Sequence, residues 1–227
     1  MFKAVLDLIF PPYCLACNAN LEVGESLICT NCRFDLPLTN SHLTSDAKLE
    51  QKFYGKVKVE SVNAYLKFVK GGKVQRLLHH LKYKGEQEVG EMLGRMYATV
   101  LKEVNMHERI DLIVPVPLHK KKLSMRGYNQ ADCIAKGMSE VWGVPWTANV
   151  LQKGRPTESQ TKQADRYQRY KNINDVFYIN LPEQVRNKRI ALVDDIVTTG
   201  STLESCANEL LLEGASEIHI MTIATAT

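Results

Sequence analysis

Hydrophobic and polar residues follow two different periods along this chain, and the change between the periods marks the predicted elements. Residues 57–68 carry apolar side chains at roughly every second position, which predicts a β-strand. A glycine pair at 71–72 interrupts that pattern. The next apolar residues recur at helical spacing: Val74, Leu77, Leu78 and Leu81. This part of the chain therefore predicts a strand that is followed by an amphipathic helix.

The alternation of strands and helices continues to the end of the chain. Three short apolar runs predict further strands, at residues 110–114, 188–193 and 218–223. Helical spacing predicts further helices at residues 88–104 and 129–142, and a last one that ends at Gly214. Strands that alternate with helices predict an α/β fold, with a mainly parallel sheet flanked by helices.

Composition narrows the class of protein without choosing its function. The chain has 227 residues, of which 44% are hydrophobic and 24% charged, which is typical of a globular protein and excludes collagen and low-complexity chains. A net charge of +4 suits an anionic ligand, such as a phosphate or a nucleic acid. No apolar run approaches the ~20 residues of a membrane span. Residues 1–10 lack a signal-peptide pattern and predict a short helix, either docked on the protein or lying on a membrane surface.

Four of the six cysteines lie close together near the start of the chain: Cys14, Cys17, Cys29 and Cys32. Two CxxC pairs at this spacing supply four thiolates to one structural zinc ion, with no coordination position left open for catalysis. The alternative is a pair of disulfides, which a reducing compartment disfavours. We therefore predict a zinc module and linker over residues 1–45, with polar linker sequence over 35–51, and a main domain over 46–227. Cys133 and Cys206 are predicted to be buried and inert.

A segment at residues 190–202 (IALVDDIVTTGST) combines an apolar strand, two carboxylates and a small polar turn before a helix. Backbone N–H groups of such a turn, together with the helix N-terminus, bind a phosphate, and Gly200 permits close approach. The carboxylates of Asp194 and Asp195 then accept hydrogen bonds from vicinal sugar hydroxyls. The alternative is an ordinary strand–turn–helix with an N-cap. A P-loop is excluded because its lysine is missing.

The same segment resembles the phosphoribosyl-pyrophosphate motif of type I phosphoribosyltransferases. The resemblance implies a pocket for phosphoribosyl pyrophosphate and Mg²⁺, bound through Asp194, Asp195, Thr198, Thr199, Gly200, Ser201 and Thr202. Candidates for the pyrophosphate side are Pro117, Leu118, His119, Arg126 and Arg155. The polar, arginine-bearing stretch 153–169 matches the mobile hood of these enzymes.

The pattern as a whole resembles the ComF family. The motifs that carry the resemblance are the paired CxxC sequences, YKG at 83–85, PVPLH at 115–119, RGYNQA at 126–131, RxTxxQ at 155–160, RxxN at 169–172 and VDDxxTTGST at 193–202. One position departs, since Lys122 stands where an arginine is usual, which loses a bidentate grip on phosphate. The resemblance implies a cytoplasmic late competence protein of natural transformation, which works with a competence ATPase or helicase on single-stranded DNA.

Two classes of function remain open at this point. One is a DNA-uptake protein that binds a small phosphorylated ribose ligand and contacts the strand through basic residues: Lys82, Lys84, Lys120, Lys121, Lys122 and Arg126. Three tyrosines, Tyr83, Tyr128 and Tyr167, either stack on bases or pack on the core. The other class is an active phosphoribosyltransferase of nucleotide or related metabolism. Neither a catalytic residue nor an acceptor pocket is identified by the sequence.

Overall fold

A parallel β-sheet forms the centre of the protein in a computed structural model, which describes residues 12–154 and 177–226. Its strands are β1 (Ser61–Phe68), β2 (Leu112–Pro115), β5 (Arg189–Val197) and β6 (Glu217–Ala226). Their order is β1-β6-β5-β2, and every neighbouring pair is parallel. A separate antiparallel pair consists of β3 (Leu151–Lys153) and β4 (Phe177–Ile179). The predicted α/β architecture with a mainly parallel sheet is confirmed.

Helices cover both faces of the sheet. They are α1 (Thr30–Phe34), α2 (Ala47–Gln51), α3 (Lys73–Tyr83), α4 (Gln87–Lys102), α5 (Lys120–Arg126), α6 (Gln130–Trp142) and α7 (Ser201–Leu212), with 3-10 turns at Met106–Arg109 and Pro182–Gln184. One buried cluster joins α3, α4 and α6 to the face that carries Val193. The other joins α2 and α7 to the face that carries Leu192. Because successive strand residues point to opposite faces, the apolar run in β5 contributes to both clusters.

The C-terminal half of β5 extends beyond the apolar run that predicted it. The strand continues through both aspartates to Val197, and Asp194 lies opposite Thr222 of β6. Asp194 and Asp195 are therefore held within the sheet and not in a free loop. Backbone ladder bonds on a neighbouring strand fix their positions.

Residues 35–51 were predicted as a linker, and here the structure differs. Leu38 forms a bridge with Leu66, Thr39 N–H donates to the Tyr65 carbonyl at 3.0 Å, and Ser41 Oγ donates to the Ala64 carbonyl at 3.0 Å. β1 is an edge strand, so its outer N–H and C=O groups need partners, and this polar segment supplies them. The boundary between domains at residue 45 stays a prediction.

The N-terminal module shares a core with the main domain. Leu15 and Ile28 belong to the same buried cluster as Leu77 and Leu81 of α3. Lys73, at the start of α3, also forms an ion pair with Asp35. The module therefore packs on the helix that leads toward the carboxyl edge of the sheet.

Several further expectations can be compared with the described residues. Cys133 and Cys206 are buried as predicted, at 6% and 0% exposure. Within residues 12–154 and 177–226, no helix is both long enough and apolar enough to cross a membrane. The predicted helix at 1–10 and the hood residues from 155 onward lie outside the described residues.

Candidate functional site

The carboxyl ends of two parallel strands bring the predicted site residues to one edge of the sheet. β2 leads into residues 116–119, and β5 leads into the turn at 198–200 before α7. Open α/β sheets bind ligands at this edge because the loops after neighbouring strands meet there. The two segments that the sequence singled out separately are therefore neighbours in space.

Asp194 and Asp195 form an adjacent carboxylate pair at this edge. Asp195 is only 7% exposed, and Lys82 Nζ lies 2.7 Å from its Oδ2. Asp194 accepts a hydrogen bond at 2.8 Å from the Asp195 backbone N–H. Burial, and then the negative charge of Asp195, raise the pKa of Asp194 to about 8. Part of the surface of Asp194 still faces the site. Asp194 can therefore exchange a proton when a ligand binds.

The turn after β5 encloses a small cavity of about 50 Å³. Its lining includes all five loop residues of the sequence motif: Thr198, Thr199, Gly200, Ser201 and Thr202. Gly200 has φ +85°, and a Cβ there would lie 3.0 Å from the ring of Phe53, so a side chain would strain the backbone and crowd that ring. Lys52 Nζ donates to the Thr198 carbonyl at 2.6 Å and holds the turn from outside.

A larger cavity of about 300 Å³ opens beside the carboxylate pair. Four of the five pyrophosphate-side candidates line it, namely Pro117, Leu118, His119 and Arg126. Arg155 lies outside the described residues. Asp194 and Thr202 line both cavities, so the small phosphate-sized cavity and the larger one meet at these two residues.

Four cationic side chains line the larger cavity with the two carboxylates: Lys82, Lys122, Arg126 and Lys153. Charge of this sign in a concave site attracts anions. The sequence motifs pointed to Arg126 and Lys122, but not to Lys153 as a site residue. No local signal marks Lys153, because it reaches the site from β3 through the tertiary fold.

Gln130 is a further lining residue that the sequence reasoning did not single out. It is 3% exposed, and its Oε1 accepts a hydrogen bond from Arg126 Nη1 at 2.7 Å. Its Nε2 has no hydrogen-bond partner among the described residues. A buried amide donor without a partner is costly unless a ligand or water completes it. Its place in the RGYNQA motif, one residue into α6, was the available signal.

The basic run at 120–126 is helical, an element that the sequence analysis did not predict. His119 is the N-cap of α5, and its Nδ1 accepts from the Lys121 backbone N–H at 3.2 Å. Gly127 ends the helix with φ +80°. None of the residues of α5 is buried, so apolar periodicity gave no sign of the helix. Capping gives His119 a structural role at the cavity.

Two of the three tyrosines considered for base stacking have different environments. Tyr83 is 62% exposed, and the Arg126 guanidinium lies over its ring, 5.1 Å from the centroid. Tyr128 donates its hydroxyl hydrogen to the Leu81 carbonyl and so packs against α3. Tyr167 lies outside the described residues. Only Tyr83 of the two described tyrosines presents its ring at the mouth of the larger cavity.

The four N-terminal cysteines converge as the paired CxxC spacing predicted. Their sulfur atoms all lie within 4.8 Å of one another, and Cys17 Sγ is 3.8 Å from Cys29 Sγ. Tetrahedral Zn–S bonds of about 2.3 Å place sulfur atoms about 3.8 Å apart, so the cluster fits a zinc ion. Backbone N–H groups donate to Cys14 Sγ at 3.3 Å and to Cys29 Sγ at 3.4 Å, which favours thiolates.

The pKa values of these thiols differ although the groups are close. Burial opposes ionisation of Cys14. Backbone hydrogen bonds from Cys29, and from residues next to Cys14 itself, outweigh burial and lower the pKa of Cys14 to about 7. Burial and the other thiols raise the pKa of Cys32. Four thiols at this distance cannot all ionise without a cation between them. Their donor set and spacing therefore fit a structural zinc centre.

Comparison with known proteins agrees with both halves of this description. The double zinc ribbon domain matches residues 5–43, and the phosphoribosyl transferase domain matches residues 125–226. The DNA utilization protein YhgH of Escherichia coli strain K12 is 31% identical, over 94% of this chain and 96% of that protein. This chain belongs to the ComF family.

Two further relatives carry competence names. Competence protein F of Haemophilus influenzae is 24% identical over 94% of this chain and 96% of its own length. Competence protein ComFC of Bacillus subtilis is 23% identical over 62% of this chain and 55% of its own length. The ComF resemblance and the phosphoribosyltransferase-like fold with an N-terminal cysteine module are thus confirmed.

Proposed function

We propose that this ComF-family chain is a competence protein that assists the uptake of single-stranded DNA in the cytoplasm, and that its α/β domain binds phosphoribosyl pyrophosphate or a closely related phosphorylated ribose. The observation that carries the ligand is the junction of the two cavities at Asp194 and Thr202. A sugar at that junction reaches a phosphate-sized turn on one side and a cationic cavity on the other. The names of the relatives support the competence role.

The chain's own residues suit each part of such a ligand. The 5′-phosphate takes the turn at 198–202, where backbone N–H groups and the N-terminus of α7 are donors. Asp194 and Asp195 accept hydrogen bonds from the ribose hydroxyls. Arg126 and the free amide of Gln130 face the anionic group on the other side. Mg²⁺ would neutralise pyrophosphate oxygens there, as a hard cation that prefers oxygen ligands.

The DNA contact is proposed for the rim that α5 and the end of α3 form around the cavity. Lys84, Lys120, Lys121 and Lys122 are exposed along this rim. Phosphate neutralisation by such lysines gives binding that depends on salt and strand length and not on base sequence. The exposed ring of Tyr83 adds a surface on which a base can stack. A competence ATPase or helicase is the proposed protein partner.

Calorimetry with phosphoribosyl pyrophosphate and Mg²⁺ tests the ligand. The wild-type protein should release heat on binding, and Asp194→Asn should weaken the affinity roughly 10- to 100-fold, because a hydrogen bond to a charged group contributes about 1.5–3 kcal/mol. Glu183→Gln, which changes an exposed acid that lines neither cavity, is the matched control and should bind normally. An absence of heat with the wild-type protein contradicts the ligand proposal.

Titration of a labelled oligonucleotide at several salt concentrations tests the DNA contact. The logarithm of the affinity should fall against the logarithm of the salt concentration with a slope near −0.7 for each phosphate contact. The variant with Lys120, Lys121 and Lys122 changed to Glu should lose binding and most of the slope. A control with the exposed Lys56, Lys58 and Lys70 changed to Glu has the same net charge and should retain binding. Equal loss in both variants would indicate a general charge effect and contradict the proposed rim.

An active transferase is the second candidate function. Turnover of phosphoribosyl pyrophosphate distinguishes it from a protein that only binds this ligand. Opposed cations and carboxylates around one cavity favour it, since they suit the displacement of pyrophosphate from a sugar carbon. Incubation of labelled phosphoribosyl pyrophosphate with bases and amines should release pyrophosphate only if transfer occurs. Binding without turnover of any acceptor favours the DNA-uptake role alone.

A further inference from the structure

Lys82 occupies an unusual place among the cations of the candidate site. It forms an ion pair with the carboxylate pair, with its Nζ 2.7 Å from Asp195 Oδ2. Both side chains are largely buried, with 23% of Lys82 and 10% of Asp195 exposed. Pairing at this burial has a desolvation cost, so the contact requires an accurate placement of both groups.

The position of Lys82 is set by the helix that carries it. Lys82 lies in the last turn of α3, directly after Leu81, which is fully buried. The Leu81 carbonyl accepts a hydrogen bond from the hydroxyl of Tyr128, a residue that lies just before α6. The backbone on the N-terminal side of Lys82 is therefore fixed between the core and the segment that also carries Gln130.

We propose that Lys82 is a positioning residue of this site: its ammonium group holds the Asp195 carboxylate against the cavity wall and supplies the positive charge that lets two adjacent carboxylates face one sugar. The inference rests on the proposed function for its ligand. Two neighbouring carboxylates repel each other, and a cation within hydrogen-bond distance offsets that repulsion. Asp194, whose pKa is raised, is left to accept or release the proton.

Several charged and titratable groups besides Lys82 lie around the pair. Those that line the same cavity or touch its wall are Tyr83 of α3, His119 before α5, Lys122 and Arg126 of α5, Lys153 of β3 and Cys206 of α7. Lys82 and Lys153 both lower the pKa of Asp194, while burial and Asp195 raise it. Removal of the Lys82 charge should therefore raise the pKa of Asp194 further.

The test compares Lys82→Met with Lys82→Arg and with Arg76→Met, which removes an exposed charge from the same helix. The midpoint of Asp194 is followed by carbon NMR of the carboxyl groups in the free protein, with the signal assigned from Asp194→Asn. Lys82→Met should raise that midpoint by about one pH unit or more, since a neighbouring opposite charge shifts a carboxyl by about 1–3 units. Lys82→Arg should largely restore it, and Arg76→Met should leave it unchanged because an exposed charge is screened.

Binding of phosphoribosyl pyrophosphate with Mg²⁺ at pH 7 is the second measurement. Lys82→Met should weaken it about tenfold or more, as for the loss of a charged hydrogen bond, and Arg76→Met should not. A merely structural role for Lys82 would lower thermal stability without moving the midpoint of Asp194. An unmoved midpoint in folded Lys82→Met overturns the inference, whether or not the ligand binds.

Two outcomes keep the inference and the proposed function apart. A wild-type protein that binds no phosphoribosyl pyrophosphate contradicts the proposed function, while the NMR titration still judges Lys82. If Lys82→Met does not fold, the comparison moves to an Asp195→Asn background. There the loss of Lys82 leaves no buried, unpaired charge at position 195. Lys82→Met must raise the midpoint of Asp194 in that background too, and a constant midpoint overturns the inference.

Discussion

The two ends of the parallel sheet use the same kinds of charged residue in opposite ways. At the amino end, Asp111 accepts three hydrogen bonds from Arg189, at 2.8 and 3.1 Å from the guanidinium and at 2.9 Å from the backbone N–H. These bonds lower the pKa of Asp111 to about 2. At the carboxyl end, burial and a like charge raise the pKa of Asp194 to about 8. The amino end therefore stabilises the ionised form of its carboxylate, whereas the carboxyl end disfavours the ionised form of Asp194.

The difference extends to uncharged groups. At the amino end, buried His219 Nδ1 lies 2.9 Å from Ser61 Oγ, so this polar group has a partner within the protein. At the carboxyl end, Gln130 lines the larger cavity, and its Nε2 is buried without a partner among the described residues. A buried donor that borders a cavity can bond a ligand there, whereas a satisfied one only stabilises the fold. Gln130 is therefore a second sign, besides the carboxylate pair, that the carboxyl edge suits a polar ligand.

The largest expected effect concerns the cysteine cluster. Its four thiolates would repel one another, but a zinc ion bound between them turns the cluster into a stabilising site. Cys29→Ser should lose zinc and lower the thermal midpoint strongly, since structural zinc contributes about 10–16 kcal/mol of binding free energy in small zinc-finger peptides. Loosening should spread to α3, because Leu15 and Ile28 share its buried cluster. Metal analysis and hydrogen exchange are the measurements.

Cys133→Ala provides the control for the zinc prediction. Cys133 is also buried and free, but it lies on α6 outside the cluster. This variant should keep its zinc and lose only a little stability. Zinc content that is equal in Cys29→Ser and Cys133→Ala would contradict a four-cysteine site.

Asp194→Asn should give the next largest effect and should raise stability. The folded protein binds the Asp194 proton more tightly than the unfolded chain, so this group lowers stability as the pH rises from about 4 to about 8. Removal of the acid should raise the thermal midpoint by about 5 °C at pH 8 to 9, for a polar burial cost of roughly 2 kcal/mol. Melting curves of both proteins from pH 4 to 9 check this prediction. A difference in thermal midpoint that shrinks as the pH rises would show that the pKa of Asp194 is not raised in the folded protein.

The sequence predicted those features that depend on local pattern. Alternating periods gave the sheet and its main helices, and paired CxxC spacing gave the converging sulfur atoms. It did not predict α5, because a run of lysines without a buried face has no apolar period; His119 and Gly127 set its ends instead. It also did not predict the docking of residues 35–51, since only the assembled sheet shows that β1 is an edge.

The pairing of Lys82 with Asp195 lay beyond any local signal. The two residues are 113 positions apart, and their contact depends on how α3 packs against the module and α6. The motif around Asp194 and Asp195 predicted which residues come together at the candidate site. It could not predict how their charge is balanced, because that balance comes from tertiary packing.

The smallest expected effect tests the amino end of the sheet. Asp111→Asn should lower the thermal midpoint at pH 7 by about 2–4 °C, a modest change because both partners are about one-third exposed and water screens the ion pair. The folded-state pKa of Asp111 is depressed, so its contribution is present above pH 4 and is lost as the pH falls through about 2. The gap between wild type and variant should therefore close in strong acid, and above that it has the opposite sign to the gap for Asp194→Asn, because here the wild type is the more stable protein. Binding of phosphoribosyl pyrophosphate at pH 7 should be unchanged, since Asp111 lies at the far end of the strands. A variant that melts normally yet loses the ligand would break the division between a stabilising end and a functional one.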